Sequence, residues 1–543
     1  MPPRTFVDNY AAINQSPPYE DVDLFSTDVP LREAVRANGG DAESATLSDF
    51  GQRWGSAEVL ALGREANENP PKLHVFDALG FRSDTVEFHP AYHQLMRESI
   101  AAGLHGSTWT ESGKRAAPPS EVVRAARFYM TAQVETGHLC PVTMTRAAIA
   151  ALAPAPELAC KIVPKVLTRT YDANFQPWWE KAGLTLGMGM TERQGGTDVR
   201  ANTTKATPTN DGYSIDGEKW FFSAPMSDAF LVLAQAQGGL TCFLMPRFRS
   251  DGSVNGLRFQ RLKDKLGNRS NASSEVEFAD AFAWRVGDEG AGVRTILQMV
   301  QLTRIDCAIA SAGIMRMAFA QAIHHCRYRK VFQKDLLEQP MMRAVLADMA
   351  LDLEGAVALV MRVCRALDRA SADPREAAYA RLLTPVAKYW ICKIAPAFVF
   401  EAMECLGGNG YVEESLLPRL YREAPVNAIW EGSGNVMCLD VLRALRREEE
   451  GRFYESLSRS IAVPAPDGAP LTIDSVNEAS APALVGRLAL MATVAELKTS
   501  APQAVVEAFA RTRLVQRHGP LYGAHDIDAS TVELLLQRAL PER

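Results

Sequence analysis

A stretch of strand-like sequence lies between two long helical regions, and this arrangement constrains the fold more than any other feature. Between Thr191 and about Gly287, short runs of alternating or β-branched residues recur. Turn-forming residues such as Asn210-Asp211-Gly212 separate these runs. Before and after this stretch, apolar residues recur at helical spacing. The pattern predicts a mainly α protein with a central antiparallel β domain.

The strand-like runs also suggest where the domains begin and end. Strands are predicted at 213–216, 230–234, 241–245 and 274–278. The Pro-rich segment 461–470 is predicted to be a loop or linker. We therefore predict four domains, namely an N-terminal helical domain (1–180), a β domain (181–290), a helical bundle (291–447) and a C-terminal helical domain (448–543).

Composition excludes several classes of protein. Of the 543 residues, 47% are apolar and 22% charged, which is typical of a globular chain and too apolar for disorder. A net charge of −6 provides no global attraction to nucleic acid or anionic lipid. The nine cysteines are scattered without a C-x-x-C pair, and the first six residues lack an apolar signal core. These features predict a cytoplasmic protein with no metal site and no membrane partner.

The segment 187–199 is rich in glycine and opens the β region. Small residues beside Thr191 and Thr197 would let backbone N–H groups and hydroxyls approach a flat or anionic ligand. Glycine-rich turns more often serve backbone geometry, and this alternative stays open. The segment is not a dinucleotide fingerprint, because no strand–turn–helix unit with a downstream acidic residue surrounds it.

An aromatic element, Lys219-Trp-Phe-Phe-Ser223, follows a turn. Alternation along a strand places Trp220 and Phe222 on one face and Phe221 and Ser223 on the other. An aromatic wall beside a hydroxyl suits an isoalloxazine ring or a nucleobase. Packing in a core is the competing interpretation.

Glu431 lies between Trp430 and Gly432, just before a predicted helix. A carboxylate held against aromatic and apolar groups has a raised pKa, which suits a general base near neutral pH. A surface or helix-capping glutamate is an equally sound interpretation.

Five motifs taken together resemble one known family. The segment 187–199, the Lys-Trp-Phe-Phe-Ser element, Arg329-Lys-Val-Phe332, Gly407-Gly-Asn-Gly-Tyr411 and the Trp-Glu-Gly-Ser segment follow the order found in acyl-CoA dehydrogenases. The variants at 190–199 and 263–272, and the region beyond residue 447, resemble its AidB, or alkylation-response, branch. The resemblance implies an acyl-CoA dehydrogenase-like fold with an added C-terminal helical domain, a homotetramer, and FAD as cofactor.

The resemblance also implies roles for individual residues. Glu431 matches the catalytic base that removes a substrate α-proton. Arg329 matches an arginine that reaches the FAD of a neighbouring subunit, although Gln333 replaces the glycine that usually follows Phe332. The implied FAD contacts are Met188, Gly189, Met190, Thr191, Glu192, Gln194, Gly195, Gly196, Thr197, Phe221, Phe222, Ser223, Arg329, Ile429, Trp430, Gly432, Ser433, Gly434, Asn435 and Leu439.

The same resemblance implies sequence-independent binding of double-stranded DNA by the C-terminal region. Residues 441–543 contain 12 basic and 13 acidic residues, so binding would depend on local arginine clusters. The candidates are Arg443, Arg446, Arg447, Arg511, Arg513 and Arg517. The favoured function is thus an FAD-containing protein of the adaptive response to DNA alkylation, possessing at most weak acyl-CoA dehydrogenase activity. The alternatives are a metabolic acyl-CoA dehydrogenase without DNA binding, or a flavin-bearing scaffold without turnover.

Overall fold

A computed structural model describes residues 13–461, 477–516, 519 and 521–541, and these divide into two compact units. The helical unit comprises Met1–Leu60, Glu121–Val134 and Cys307–Arg543, and the β unit comprises Ala61–Ser120 and Glu135–Asp306. Nearly all of the predicted linker 461–470 lies outside the described residues, as does Arg517. The four-domain division remains a prediction.

The described residues form α-helices and β-strands whose order matches the predicted fold class, which is confirmed. The α-helices are α1 (Val29–Ala37), α2 (Ser44–Trp54), α3 (Ala57–Glu68), α4 (Pro90–Ala101), α5 (Ser120–Ala132), α6 (Leu139–Leu152), α7 (Pro156–Val166), α8 (Gly292–Tyr328), α9 (Pro340–Arg369), α10 (Pro374–Cys405), α11 (Gly408–Tyr411), α12 (Leu416–Glu423), α13 (Gly434–Leu445), α14 (Glu448–Ile461), α15 (Ala481–Ser500), α16 (Gln503–Phe509) and α17 (Ala529–Ala539). The strands are β1 (Lys72–Phe76), β2 (Arg82–Glu87), β3 (Leu186–Gly189), β4 (Lys205–Pro208), β5 (Tyr213–Ser223), β6 (Ala229–Ala236), β7 (Gly239–Pro246), β8 (Leu257–Leu262), β9 (Ser273–Val286), β10 (Lys330–Val331) and β11 (Lys334–Asp335).

The β unit is built on a seven-stranded sheet with the order β3-β6-β4-β5-β9-β7, in which β8 also pairs with β9 and β6 with β7. All four predicted strand segments lie within β5, β6, β7 and β9. Most pairings are antiparallel, as predicted, but β3–β6 and β4–β6 are parallel. The hairpin β1–β2 lies in a region predicted to be helical, and that part of the prediction is wrong.

The sheet forms around continuous apolar runs rather than strict alternation. Every residue from Ala229 to Ala234 in β6 is buried, and so is every residue from Leu240 to Pro246 in β7. Strands that are covered on both faces have such sequences, because neither face meets water. The resulting core contains Phe222, Phe230 and Phe243, all at 0% exposure.

The helical unit packs around two long helices, α9 and α10, which lie against each other and against α15. Pro340 begins α9, and Pro374 begins α10 after Asp373, whose side chain accepts a hydrogen bond from Arg375 N. Helix α10 is long and apolar enough to cross a membrane, but 72% of its most apolar window is buried inside the protein. This burial is typical of the core helix of a folded domain.

Candidate functional site

The loop that follows β3 is held in place by a buried ion pair between Glu192 and Lys219. Glu192 is fully buried, and its carboxylate accepts a hydrogen bond from Lys219 Nζ at 2.8 Å. The backbone N–H groups of Thr203 and Thr204 donate to the same carboxylate. Burial raises the pKa of Glu192, but Lys219 and these donors outweigh burial and lower it to about 2. The Glu192 side chain therefore supports the loop from inside, and its predicted contact with FAD stays a prediction for its backbone alone.

Close packing explains several of the glycines in β3 and in the loop that follows it. A Cβ at Gly189 would lie 2.5 Å from Phe222, and one at Gly187 would lie 2.5 Å from Phe230. A Cβ at Gly196 would lie 2.2 Å from Thr191 Oγ1. At all three positions, glycine is therefore explained by the close approach of neighbouring side chains, which leaves no room for a Cβ atom. Thr197 and Gln194 are exposed, and Met188, Met190 and Thr191 are half-buried.

A β-bulge changes which residues of β5 face the surface. The register against β9 shifts between Lys219 and Phe222, and both of these side chains are buried. Phe221 is 51% exposed and Ser223 is half-buried, 3.1 Å from the Ser273 hydroxyl. Phe222 packs in the sheet core against Phe230 at a ring distance of 4.2 Å. The prediction that Phe222 walls the flavin is wrong, because the bulge turns its ring inward.

Trp220 does not share a face with Phe222, as strict alternation would require. Its ring lies 3.3 Å from Lys263 Nζ, with the guanidinium groups of Arg193 and Arg261 at 5.5 and 5.9 Å. The sequence analysis missed this cationic cluster, because its cations come from two segments that are both separate from Trp220 in the chain.

Glu431 is carried on a tight turn in the helical unit. Its φ is +58°, and that of the following Gly432 is +98°. A left-handed conformation costs a residue other than glycine about 1–2 kcal/mol. Such residues persist only where the surroundings hold them, and they are concentrated at functional sites. The Glu431 side chain is half-buried beside Trp430, whose indole N–H donates to Asn427 Oδ1 at 3.0 Å.

One further residue holds this turn, and the sequence analysis missed it. Lys388 of α10 is 1% exposed, and its ammonium donates to the carbonyl oxygens of Asn427 and Gly432, each at 2.9 Å. The signal in the sequence was a lysine within the apolar run 385–392. A charged residue in such a run needs a buried acceptor.

The other predicted FAD contacts of this segment lie at or near the surface. Ile429 is 66% exposed, Ser433 and Asn435 are exposed, and Leu439 is half-buried. Gly434 is the first residue of α13, after Ser433. All of these residues belong to the helical unit, whereas the loop after β3 and strand β5 belong to the β unit.

Arg329 precedes a short hairpin formed by β10 and β11. Its guanidinium donates to Asn14 O at 2.7 Å. The two-residue turn places Phe332 at φ +52° and Gln333 at +67°, and Phe332 is 89% exposed. This is the geometry of a type I′ turn, in which glycine is preferred. Gln333 thus occupies the turn position at which a positive φ is required, and this requirement explains why glycine is usual there.

The predicted DNA-contacting arginines fall into two groups. Arg443, Arg446, Arg447 and Arg511 are exposed. Arg513 is 4% exposed and pairs with Asp348 at 2.6 Å and with Asp352 at 3.0 Å. The prediction that Arg513 contacts DNA is wrong, because two buried carboxylates already use its donors.

Comparison with known proteins gives these motifs a context. Three family profiles match the chain in order, described as the adaptive response protein AidB N-terminal domain (14–173), the acyl-CoA dehydrogenase middle domain (187–281) and its C-terminal domain (290–446). The Escherichia coli (strain K12) putative acyl-CoA dehydrogenase AidB is 53% identical over 455 residues, covering 83% of both chains. The chain belongs to the acyl-CoA dehydrogenase family, in its AidB-like branch.

Two further similarities concern an animal member of this family. Acyl-CoA dehydrogenase family member 11 of Caenorhabditis elegans is 33% identical over 452 residues, covering 80% of this chain and 71% of that protein. The crystal structure of C. elegans ACDH-11 in complex with C11-CoA has a TM-score of 0.81 and 28% identity, covering 94% of each chain.

FAD is the cofactor that membership of the acyl-CoA dehydrogenase family indicates, in agreement with the sequence prediction. Residues of the β unit supply the kinds of group that suit a flavin ring. Phe221 presents an exposed aromatic face, and half-buried hydroxyls of Ser223 and Thr191 are positioned to serve as hydrogen-bonding groups. Gly195, at φ +134°, has open space where a side chain would be.

Proposed function

We propose that this protein is an FAD-dependent oxidoreductase that oxidises an acyl-CoA thioester, with Glu431 as the general base. The observation that carries the proposal is the left-handed backbone of Glu431. It places a half-buried carboxylate in a turn that the Lys388 ammonium group holds by two hydrogen bonds. Left-handed backbone also occurs at the exposed turn residues Phe332 and Gln333, but the turn at Glu431 is held in addition by the buried ammonium group of Lys388.

In this proposal, the Glu431 carboxylate takes a proton from the carbon next to the thioester carbonyl. FAD, when bound, supplies the hydride acceptor for the neighbouring carbon. The remaining site residues would bind and orient the flavin. Phe221 would pack against the flavin ring, and the hydroxyl groups of Ser223 and Thr191 would serve as its hydrogen-bonding partners. The C. elegans relative was crystallised with C11-CoA, so a medium-chain saturated acyl-CoA is the first substrate class to test.

The test compares the parent protein with Glu431→Gln. We expect both proteins to bind FAD, since the substitution keeps the side chain's shape. An acyl-CoA series added without oxygen should bleach the flavin of the parent, and the variant should react about 10²–10⁴-fold more slowly. Equal rates in the two proteins would remove Glu431 from the role of base. A parent protein that binds FAD but reacts with no acyl-CoA would favour the scaffold alternative.

A second function, sequence-independent binding of double-stranded DNA in the response to alkylation, is proposed on a separate observation. Arg443, Arg446 and Arg447 are all exposed where α13 ends, so three positive charges lie within five residues. The match to a profile for an adaptive response protein also supports this function. Phosphate contacts of this kind would position a duplex without reading its sequence.

The DNA test is a salt titration on a duplex of arbitrary sequence. Replacing Arg443, Arg446 and Arg447 by Gln should reduce affinity and make the slope of log affinity against log salt shallower by about 0.9 for each phosphate that the variant no longer neutralises. The control replaces Arg32, Arg36 and Arg64, which are also exposed, by Gln, and this removes the same charge elsewhere. Equal reductions of affinity in both triple variants would show that net charge, and not this cluster, governs binding. No binding by the parent at low salt would favour a metabolic dehydrogenase.

We also propose that the protein is a cytoplasmic homotetramer. Membership of a family whose members are typically oligomeric supports assembly, and the exposed apolar side chains of Phe332 and Met341 are consistent with it. Light scattering should give about four times the chain mass of 59.4 kDa. A monomeric mass would contradict the tetramer.

A further inference from the structure

Lys388 is a buried cation whose hydrogen bonds go to backbone carbonyl groups. It lies on α10 at 1% exposure, and its ammonium donates to Asn427 O and Gly432 O at 2.9 Å each. Burying an ammonium group is costly unless strong acceptors replace water. The buried ammonium group of Lys388 therefore depends on these two carbonyl groups as acceptors, and its hydrogen bonds orient them.

The two carbonyl groups lie on either side of Glu431. Asn427 belongs to a short 3₁₀ helix, Ala424–Ala428, whose last carbonyl groups have no partner within the helix. The Asn427 side chain accepts the hydrogen bond from the indole of Trp430. One ammonium group therefore ties together the start and the end of the segment 427–432.

The segment held in this way contains two consecutive left-handed residues, Glu431 and Gly432. Glycine adopts that conformation without steric cost, but glutamate does not. Some contact outside the turn must offset the cost at Glu431. The Lys388 hydrogen bond to the Gly432 carbonyl acts directly after the strained residue.

We propose that Lys388 is a positioning residue for Glu431, acting through the backbone of the segment 427–432, an inference that rests on the proposed role of Glu431 as a base. Lysine suits this task because its ammonium has three donors and no acceptor, so it can serve both carbonyl groups at once. An apolar side chain of similar length would fill the same space but would donate a hydrogen bond to neither carbonyl group.

The experiment compares Lys388→Met with Lys388→Arg in the full-length, FAD-loaded protein. Methionine removes the donors with little change in shape, and arginine restores a cation with several donors. The matched control is Arg375→Met on the same helix. The Arg375 side chain is exposed near the start of α10, 13 residues before Lys388.

Hydrogen exchange of the backbone amides in 428–433 is the first measurement. We expect exchange at least tenfold faster in Lys388→Met, close to parent rates in Arg375→Met, and substantial recovery in Lys388→Arg. Parent rates in Lys388→Met would overturn the proposal. Equally fast exchange in Lys388→Arg would also overturn it, because packing alone would then be responsible. Should Lys388→Met fail to fold, Lys388→Gln replaces it, with intermediate exchange expected from its single amide group and parent rates again overturning the proposal.

Turnover is the second measurement and concerns Glu431 itself. Lys388→Met should lower kcat for acyl-CoA oxidation at least tenfold, while KM and the dissociation constant of FAD change by less than threefold. The effect should disappear in a Glu431→Gln background, because the two residues act as a unit. Additive effects on kcat would show that Lys388 acts elsewhere. If the parent oxidises no acyl-CoA, the proposed function fails, and the exchange data alone then decide whether Lys388 holds the turn.

Discussion

Phe221 and Phe222 are neighbours on one strand and lie in opposite environments. Phe221→Ala should leave stability within about 0.5 kcal/mol of the parent and weaken FAD binding, since the Phe221 ring is half exposed on the proposed flavin surface. Phe222→Ala should cost about 3–5 kcal/mol, because it empties a fully buried site. Urea denaturation and FAD titration of both variants check this prediction. Loss of stability in Phe221→Ala alone would contradict the bulged register of β5.

Glu135 is a buried carboxylate that holds the loop before α6. It accepts hydrogen bonds from the backbone N–H of Gly137, from His138 Nδ1 at 2.7 Å and from the Ser270 hydroxyl. Burial raises its pKa, but these donors, His138 above all, outweigh burial and lower the pKa to about 2. The ionised carboxylate therefore stabilises the folded protein by about 3 kcal/mol at neutral pH.

The depressed pKa sets a pH window for this contribution. Because the folded pKa of Glu135 lies below the unfolded value, its stabilisation is complete above about pH 4.5 and is lost as the pH falls towards 2. Glu135→Gln should reduce stability by about 3 kcal/mol at pH 7, with a difference from the parent that shrinks through this window. Urea denaturation at several pH values measures it. A difference that does not change with pH would refute the assignment.

At the scale of elements, the hairpin β10–β11 combines a short ladder with a strained turn. Gln333 has a φ of +67°, which glycine adopts without the steric cost that glutamine bears. Gln333→Gly should therefore stabilise the hairpin by up to about 1 kcal/mol, whereas Gln333→Ala should not. Amide exchange at Val331 and Lys334, which face each other in the ladder, should slow about fivefold in the glycine variant only. Slowing in both variants would point to removal of the glutamine side chain instead.

At the scale of the whole molecule, buried ion pairs join the C-terminal region to α9 within the helical unit. Arg513 bridges Asp348 and Asp352, and burial of these groups makes the pairing essential. Arg513→Met should cost about 3–5 kcal/mol, because it removes the arginine that two buried carboxylates share, and His525 and Tyr522 then remain as their side-chain partners. The exposed Arg511→Gln should change stability by less than about 0.5 kcal/mol. Thermal denaturation of the two variants provides the comparison, and a stable Arg513→Met protein would contradict the packing.

Much of the architecture follows from local patterns. The β region is visible because strand periodicity and turn residues act over a few positions, as in β5 and β6. The helical face Ile296, Met299 and Val300 is buried as its spacing predicts. The short hairpin β1–β2 was not visible, since its two strands lie in a region whose surroundings are helical.

The sequence by itself determined the family, the cofactor and the order of helical and β regions, because ordered motifs and periodicity are local properties of the chain. Only the tertiary structure decided which members of those motifs face inward. The bulge in β5 buries Phe222. Lys219 forms a buried ion pair with Glu192, and Arg513 forms ion pairs with Asp348 and Asp352. The sequence marked Lys388 only as a lysine within an apolar run and could not show which groups it binds. Its acceptors lie 39 and 44 residues away along the chain, and only folding brings a buried cation to its carbonyl groups.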